Sequence, residues 1–471
     1  MPRLVRISAA AAAVAFALAG AAAQTIDAPA PQVNPEAAKP EAVSPKASNP
    51  RIKERDLVAK FPSQPSVPPS STIPLDPLGY SAPGAIYLGS RDSLASLDFL
   101  DESHLLFTFR VPGLQHRDLA SGDESFERQI RAVVLTLPQG AVAAQAQWTV
   151  HDRIRYLWAL KDGHFLFRDR NHLFEGDASL AMKPLFDFPG DLLSLDLDPA
   201  QNYIVTNSRE PAPKPDPSAA THGISSAGSK PGDVTSPPTA SANITMDEDS
   251  NRQSGEPDLV VRILRRSSGE VLLVSRVRSA VHLPIDSEGY IENLRGRAGQ
   301  WILDLSYFTG GSSMLGAIES ACAPASAFLS EGEILAAGCG TQGETKLVAM
   351  TTAGRTLWVS GIPSTEIWPQ RSVAANGLRF AWETLDVNRP ANDFEPIDAE
   401  DVKEQSVTVF NAANGDIVLV SPVRPILDVG GNVALSPSGR RVALLNAGVI
   451  QVFDLPAPSP LPAASRPNSA R

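Results

Sequence analysis

The stretch GNVALSPSGRRVALLNAGVIQVFDLP, Gly431–Pro456, contains three short apolar strands, Asn432 to Pro437, Arg441 to Asn446 and Val449 to Leu455. Tight turns separate them, and the chain then passes into the proline-rich PAPSPLPAAS, which cannot continue a ladder. The module is therefore one strand short of a four-stranded sheet, and its bare edge would be a template for aggregation. The missing strand must come from elsewhere in the chain. The segment GAIYLGS, Gly84–Ser90, is a lone strand at the other end of the protein and is expected to pair with the last module.

Internal repetition extends this reading to the whole chain. Four turns place a glycine ahead of alternating apolar residues: PQGAVAAQ at Gly140, SSGEVLLV at Gly269, TAGRTLWV at Gly354 and ANGDIVLV at Gly415. Glycine there permits the positive φ of tight hairpins, and the alternation marks strands on either side. Gly269 and Gly354 lie 85 residues apart, two units of about 42, the period of a four-stranded propeller blade. Walking that period gives inner strands near Ser93, Arg153, Leu192, Ala280, Cys322, Ile367 and Gly431. Second strands follow as HLLFTF, HFLFRD, NYIVTN, EILAAG, LRFAWE and RVALLN, and third strands as IRAVVLTL, DLVVRIL, QWILDLSYF, KLVAMT, SVTVFN and VIQVFDL. The expected fold is all-β: a seven-bladed β-propeller of four-stranded antiparallel blades, its ring closed by an N-terminal strand pairing with the C-terminal blade.

The run VALSPSGRRVALLNAGVIQVFDL resembles a WD40-like or YVTN-type repeat of bacterial exported β-propellers, with an apolar strand, a Ser-Pro-x-Gly turn, a second strand, a Gly and a V-x-D strand. LLSLDLDPAQNYIVTNS keeps the pattern but not the residues, and the Trp-Asp dipeptide of eukaryotic repeats is lacking. The resemblance implies architecture and little chemistry, because propellers host scaffolds, lectins, hydrolases and dehydrogenases alike.

The N-terminus bears on compartment. Arg3 and Arg6 precede an alanine-dominated run, Ile7 to Gly20, and Ala21-Ala22-Ala23 reads as a small-residue cleavage site that starts the mature chain at Gln24. An uncleaved N-terminal anchor is the alternative. Export to a periplasm or the cell exterior is expected, with no integral membrane segment. Residues 24–78 read as a proline-rich tether, too polar to offset the entropy of ordering. Residues 79–456 form the propeller with an insertion over 210–257, and 457–471 a tail. A net charge of -11 without a basic stripe speaks against nucleic acid, since phosphate neutralisation needs clustered Lys and Arg.

Cys322 and Cys339 are the two cysteines of the chain, symmetric about the turn SEGE of the fifth blade. A hairpin would set them nearly opposite, within disulfide reach, and an oxidising compartment favours the bond. The alternative is two buried thiols kept apart by a register slip. Five of the seven histidines fall between His104 and His172. His151, Asp152, His164, Asp169 and His172 match no compact zinc spacing and read as turn and inter-blade residues, so no metal is expected. No cofactor is expected either. G-x-S-x-G, P-loop and H-E-x-x-H motifs are lacking. MTTAGRTLWV, Met350–Val359, resembles one strand-turn of a quinoprotein propeller but occurs once, and a hairpin explains it. Asp196 and Asp198 read as a solvated acidic surface.

The sequence tolerates length at three places, Val111 to Gln129, Glu210 to Pro257 and Asn388 to Glu404, each joining the second strand of a blade to its third. In a propeller such connections emerge on one face, where a rigid scaffold holds binding loops. The candidate binding residues are His116, Arg117 and Asp118 in the first and Arg389, Asn392 and Phe394 in the last. The expected function is a monomeric binding scaffold for a protein or small ligand. The alternatives are a propeller enzyme, hydrolase or quinoprotein-like oxidoreductase, with a site assembled from several blades, and an envelope protein that bridges layers through its tether.

Overall fold

A computed structural model describes residues 66–82, 85–86, 95–117, 126–151, 155–210, 258–277, 282–297, 299–339, 345–362, 371–388, 397–398, 400–424 and 432–458. The leader and most of the tether lie outside the described residues, as do the insertion 211–257 and the end of the tail. The ring runs in chain order. Blade one comprises Ser96–Phe99, His104–Arg117, Phe126–Thr136 and Ala141–Val150. Blade two comprises Leu157–Ala159, Phe165–Asp169, His172–Gly176 and Met182–Asp187. Blade three is Asp191–Leu197, Tyr203–Glu210, Asp258–Arg265 and Val271–Val277. Blade five is Ala325–Ser330, Glu333–Cys339, Thr345–Thr351 and Thr356–Ile362, and blade six Arg371–Val373, Arg379–Val387, Val402–Asn411 and Ile417–Pro422.

Blade four has three regular strands, Gly289–Arg295, Gln300–Tyr307 and Ser312–Glu319. The segment from His282 to Ile285 holds the innermost place, joined to its neighbour by the Ile285–Tyr290 bridge and by the Ile291 amide donating to the Pro284 carbonyl. Pro284 has no N–H to give, which limits the ladder to this contact. The inner strand expected near Ala280 is thus present as a bridge rather than a full strand.

Blade seven contains Val433–Leu435, Arg441–Asn446 and Val449–Asp454, and its fourth strand is Ser71–Pro74, paired with Val449–Val452. The ring closes as expected, by an N-terminal strand, but through a different segment. Gly84–Ser90 is not that strand: its residues Ala85 and Ile86 pair instead with Asp398 and Ile397 in the blade-six insertion. Ser71–Pro74 falls within residues 24–78, whose proline-rich, polar composition reads as a tether. It is an outer strand, where Pro74 can sit at an end without breaking a ladder.

The packing explains why strands such as HLLFTF show no polar alternation. Each blade lies between two others, so both faces of its strands are buried. Leu105 and Phe107 join a cluster with Ala434, Leu445 and Ile450 of blade seven, whereas Leu106 joins one with Leu157 and Phe165 of blade two. Phe380 packs toward Leu335 of blade five, and Ala381 toward Val433 and Val442 of blade seven. Every one of the seven blade interfaces carries such a cluster. Period-two geometry sends alternate residues to opposite neighbours, and both are apolar.

The four glycine turns have φ between 69° and 79°. They also dock each blade on the one before it. A Cβ at Gly269 would lie 2.8 Å from Phe186 of blade two, at Gly354 2.5 Å from the Leu315 carbonyl of blade four, and at Gly415 2.8 Å from the Trp358 ring of blade five. At Gly140 it would lie 2.7 Å from Ile73. Ile73 therefore occupies in blade seven the place that an outer-strand residue takes in the other blades. Trp358 completes its contact by donating its indole N–H to the Ala412 carbonyl and stacking on Phe380, so the quinoprotein-like stretch serves blade packing.

Two buried arginines fasten neighbouring blades. Arg379, fully buried, donates to Asn411 Oδ1 at 3.3 Å, the Gly439 carbonyl at 2.8 Å and the Pro456 carbonyl at 2.5 Å. Arg168 reaches the carbonyls of Arg155 and Leu192. The Cys322–Cys339 disulfide forms as expected, with a Cα separation of 5.5 Å, and the Ala321 amide donates to the Cys339 carbonyl beside it.

Candidate functional site

The chemistry of the structure gathers at the centre of the ring. Asp196 stands on the inner strand of blade three, and its Oδ2 lies 3.0 Å from Nδ1 of His282 on the innermost segment of blade four. The imidazole also hydrogen-bonds the Ser326 backbone on the inner strand of blade five. Ser326 in turn donates to Asn293, whose amide holds the Pro324 carbonyl. One histidine thereby links three inner strands across the wall of the channel.

About a third of each side chain in the pair is open to solvent, yet protein surrounds both, as expected for the wall of a narrow channel. Burial on its own would push the His282 pKa down, but the Asp196 carboxylate and the two hydrogen bonds outweigh it and hold the pKa above 6.5. Burial likewise opposes ionisation of Asp196, and His282, Arg155 and Arg371 together hold its pKa below 3.8. Arg371 opens the inner strand of blade six, and neither blade three nor blade four adjoins blade six. Their electrostatic coupling acts across the channel. Asp98, on the inner strand of blade one, accepts the Ser96 hydroxyl at 2.6 Å.

This arrangement suits binding better than proton abstraction. With both hydrogen bonds made, the His282 ring is engaged by Asp196 and by the Ser326 backbone, which leaves it poorly placed to take a proton from a nucleophile. The raised pKa means that the pair's stabilisation is full below pH 6.5 on the His282 side and is lost as pH rises through the folded value. On the Asp196 side it is present above pH 3.8 and lost as pH falls through the depressed folded value. In an NMR titration the His282 ring is expected to titrate above 6.5 in the native protein and to move downward in D196N. An unchanged midpoint in D196N would show that the carboxylate does not set it.

The histidines of the cluster between His104 and His172 do not converge. His104 pairs with Asp101 at 2.8 Å, His151 with Asp169 at 2.6 Å, His164 with Asp162 at 3.2 Å and His172 with Asp187 at 2.6 Å. Among the described residues there is no group of three or more His, Cys, Asp or Glu placed to hold a metal ion. Asp196 and Asp198 do not form a solvated acidic surface. Asp198 is buried and caps its turn by accepting the amides of Tyr203 and Ala200, and Asp196 enters the channel.

Of the loop residues selected from sequence, His116 and Arg117 lie on an extended hairpin, paired in register with Glu127 and Phe126. The blade-one connection is thus shorter than Val111 to Gln129, because the ladder continues past a bulge between Arg110 and Gln115. Asp118, Arg389, Asn392 and Phe394 lie outside the described residues. All three insertions fall between a second and a third strand, in blades one, three and six. The channel site went unnoticed in the sequence because Asp196 and His282 lie 86 residues apart with the long insertion between them.

No protein-family model matches the chain, and no curated protein matches it in sequence. Solved propeller-containing structures align loosely. The uncomplexed acylaminoacyl peptidase of Pyrococcus horikoshii is 9% identical, with a TM-score of 0.41, over 77% of this chain and 50% of that one. TolB from Acinetobacter baumannii is 10% identical, TM-score 0.38, over 71% of this chain and 67% of its own. The β-propeller domain of the Trilobed protease from Pyrococcus furiosus is 11% identical, TM-score 0.41, over 76% and 95%. The chain spans about half the length of the peptidase it aligns with, and likenesses at this level carry no argument about what the chain binds.

Proposed function

We propose that this chain is an exported, WD40-like binding propeller that receives a protein or ligand on the face bearing the connections between second and third strands. One observation carries the reading: the three insertions all occur at that connection, in blades one, three and six. Strands alternate in direction and blades share one orientation, so these connections emerge on one side of the ring. The N-terminal segment supports the same face, because Ala85 and Ile86 pair with Ile397 and Asp398 of the blade-six insertion. The Cys322–Cys339 bond and the leader-like N-terminus support an oxidising, exported setting.

Binding energy concentrates in aromatic and arginine anchors, and Phe394, Arg117 and Arg389 are the anchors chosen from the outer two insertions. The test replaces residues 113–126 and 389–396 with short glycine-containing turns and compares partners recovered from cell-envelope extract with those of the intact chain. The expected result is a folded ring with its partners lost. Recovery of the same partners in the same amount would move the binding face to the opposite rim or the channel.

A further inference from the structure

Arg371, half-buried on the inner strand of blade six, differs from the other arginines held within the propeller. Arg379 and Arg168 spend their donors on backbone carbonyls and an amide, and Arg262 makes a two-pronged pair with Glu210. The Arg371 guanidinium makes no hydrogen bond or ion pair among the described residues, although the surrounding protein desolvates it enough to lower its pKa. The one carboxylate that acts on it, Asp196, is already bonded to His282. A cation desolvated without a partner opposes folding, and its retention calls for another reason.

The charge balance of the channel points the same way. Arg155, Arg371 and, when protonated, His282 face two carboxylates, Asp196 and, on the inner strand of blade one, Asp98. Asp98 is engaged by Ser96. Arg155 uses Nε on the Leu157 carbonyl and lies 5.3 Å over the Trp158 ring, and its remaining N–H groups make no bond among the described residues. The channel is therefore cationic within a chain of net charge -11. A guanidinium offers paired donors whose geometry matches a carboxylate or phosphate, and such charge-assisted bonds are strongest where water is scarce.

We propose that the central channel binds an oxyanion, a carboxylate or phosphate group of a ligand, with Arg371 as its receiving group and Arg155 as the second cation. This site is separate from the loop face and stands or falls independently of it.

The experiment titrates inorganic phosphate and acetate, each alone at low ionic strength, into the full chain by calorimetry. The intact protein, R371Q, R371K and R155Q are compared. Saturable one-site binding is expected for at least one probe, and the probe that binds tells whether the natural ligand presents phosphate or carboxylate. R371Q should weaken it at least tenfold, R371K should retain part of it, and R155Q should weaken it less than R371Q. Because Arg371 makes no hydrogen bond or ion pair among the described residues, R371Q without anion should melt at or above the temperature of the intact protein. Replacing the two insertions should leave anion binding unchanged. The proposal is overturned if neither probe binds saturably, if R371Q binds as the intact chain does, or if R371Q melts several degrees lower without anion, since Arg371 would then be a structural residue.

Discussion

Deleting Ser71–Pro74 is expected to abolish cooperative folding at 37 °C or to leave an aggregating chain. Ile73 is almost completely buried against blades seven and one, and Leu75, which follows the strand, is fully buried. Burying each such side chain contributes about 2 kcal/mol, and each ladder hydrogen bond adds about 1 kcal/mol. The strand makes a four-residue ladder, extended at either end by the Ser70 amide on Val452 and the Leu75 amide on Gly448. The total is comparable with the roughly 5–15 kcal/mol that holds a domain together. Deletion also bares the edge of Val449–Asp454 and opens the ring between its first and last blades. Removing Ala85 and Ile86 instead shortens a two-residue ladder outside the blades and should cost a small part of that. Thermal melting of the two deletions side by side checks the assignment. If the chain lacking Ser71–Pro74 melted like the parent, another segment would have to supply the closing strand.

That strand shows what sequence could and could not reveal. The need for it was legible, because three strands run into proline at the end of the chain. Its identity was not. STIP offers one large apolar residue and no alternation, while GAIYLGS looks more like a strand by composition. What decides the pairing is the slot over Gly140, which Ile73 fills, and such a slot exists only once the ring is assembled. The blade order was legible for the opposite reason. Double-sided burial writes each second and third strand as an apolar run, and turn chemistry places a glycine between many of them.

The channel lay deeper. Asp196, His282 and Arg371 belong to inner strands contributed by separate blades, and neither motif nor local spacing connects them. The innermost segment of blade four was legible as a strand near Ala280, but nothing in its residues tied His282 to Asp196 of the blade before it. A usable signal was available: charged residues on strands that otherwise face only apolar neighbours mark a wall that meets water. Asp196 within LLSLDLD has that character.

Replacing Glu383 with glutamine should stabilise the protein by about 4 kcal/mol at pH 8 and by almost nothing near pH 4. Glu383 is fully buried in blade six, and burial pushes its pKa up to about 8, against the single opposing hydrogen bond from Gln405 Nε2 at 2.7 Å. Between pH 4.5 and 8 the unfolded chain releases this proton while the native state keeps it. Native protein then binds more protons than unfolded protein, and stability falls as pH rises across that window. Above pH 8 the native carboxyl also ionises and the penalty levels off. Glutamine has no such proton to hold. Its carbonyl still accepts from Gln405, and its amide brings donors next to Gln405 Oε1, which has no partner among the described residues. Urea unfolding of the intact protein and E383Q at pH 4, 6 and 8 should give curves that coincide at the acid end and separate steadily toward pH 8. A constant gap at every pH would mean that the substitution acts through packing and that Glu383 does not hold its proton in the native state.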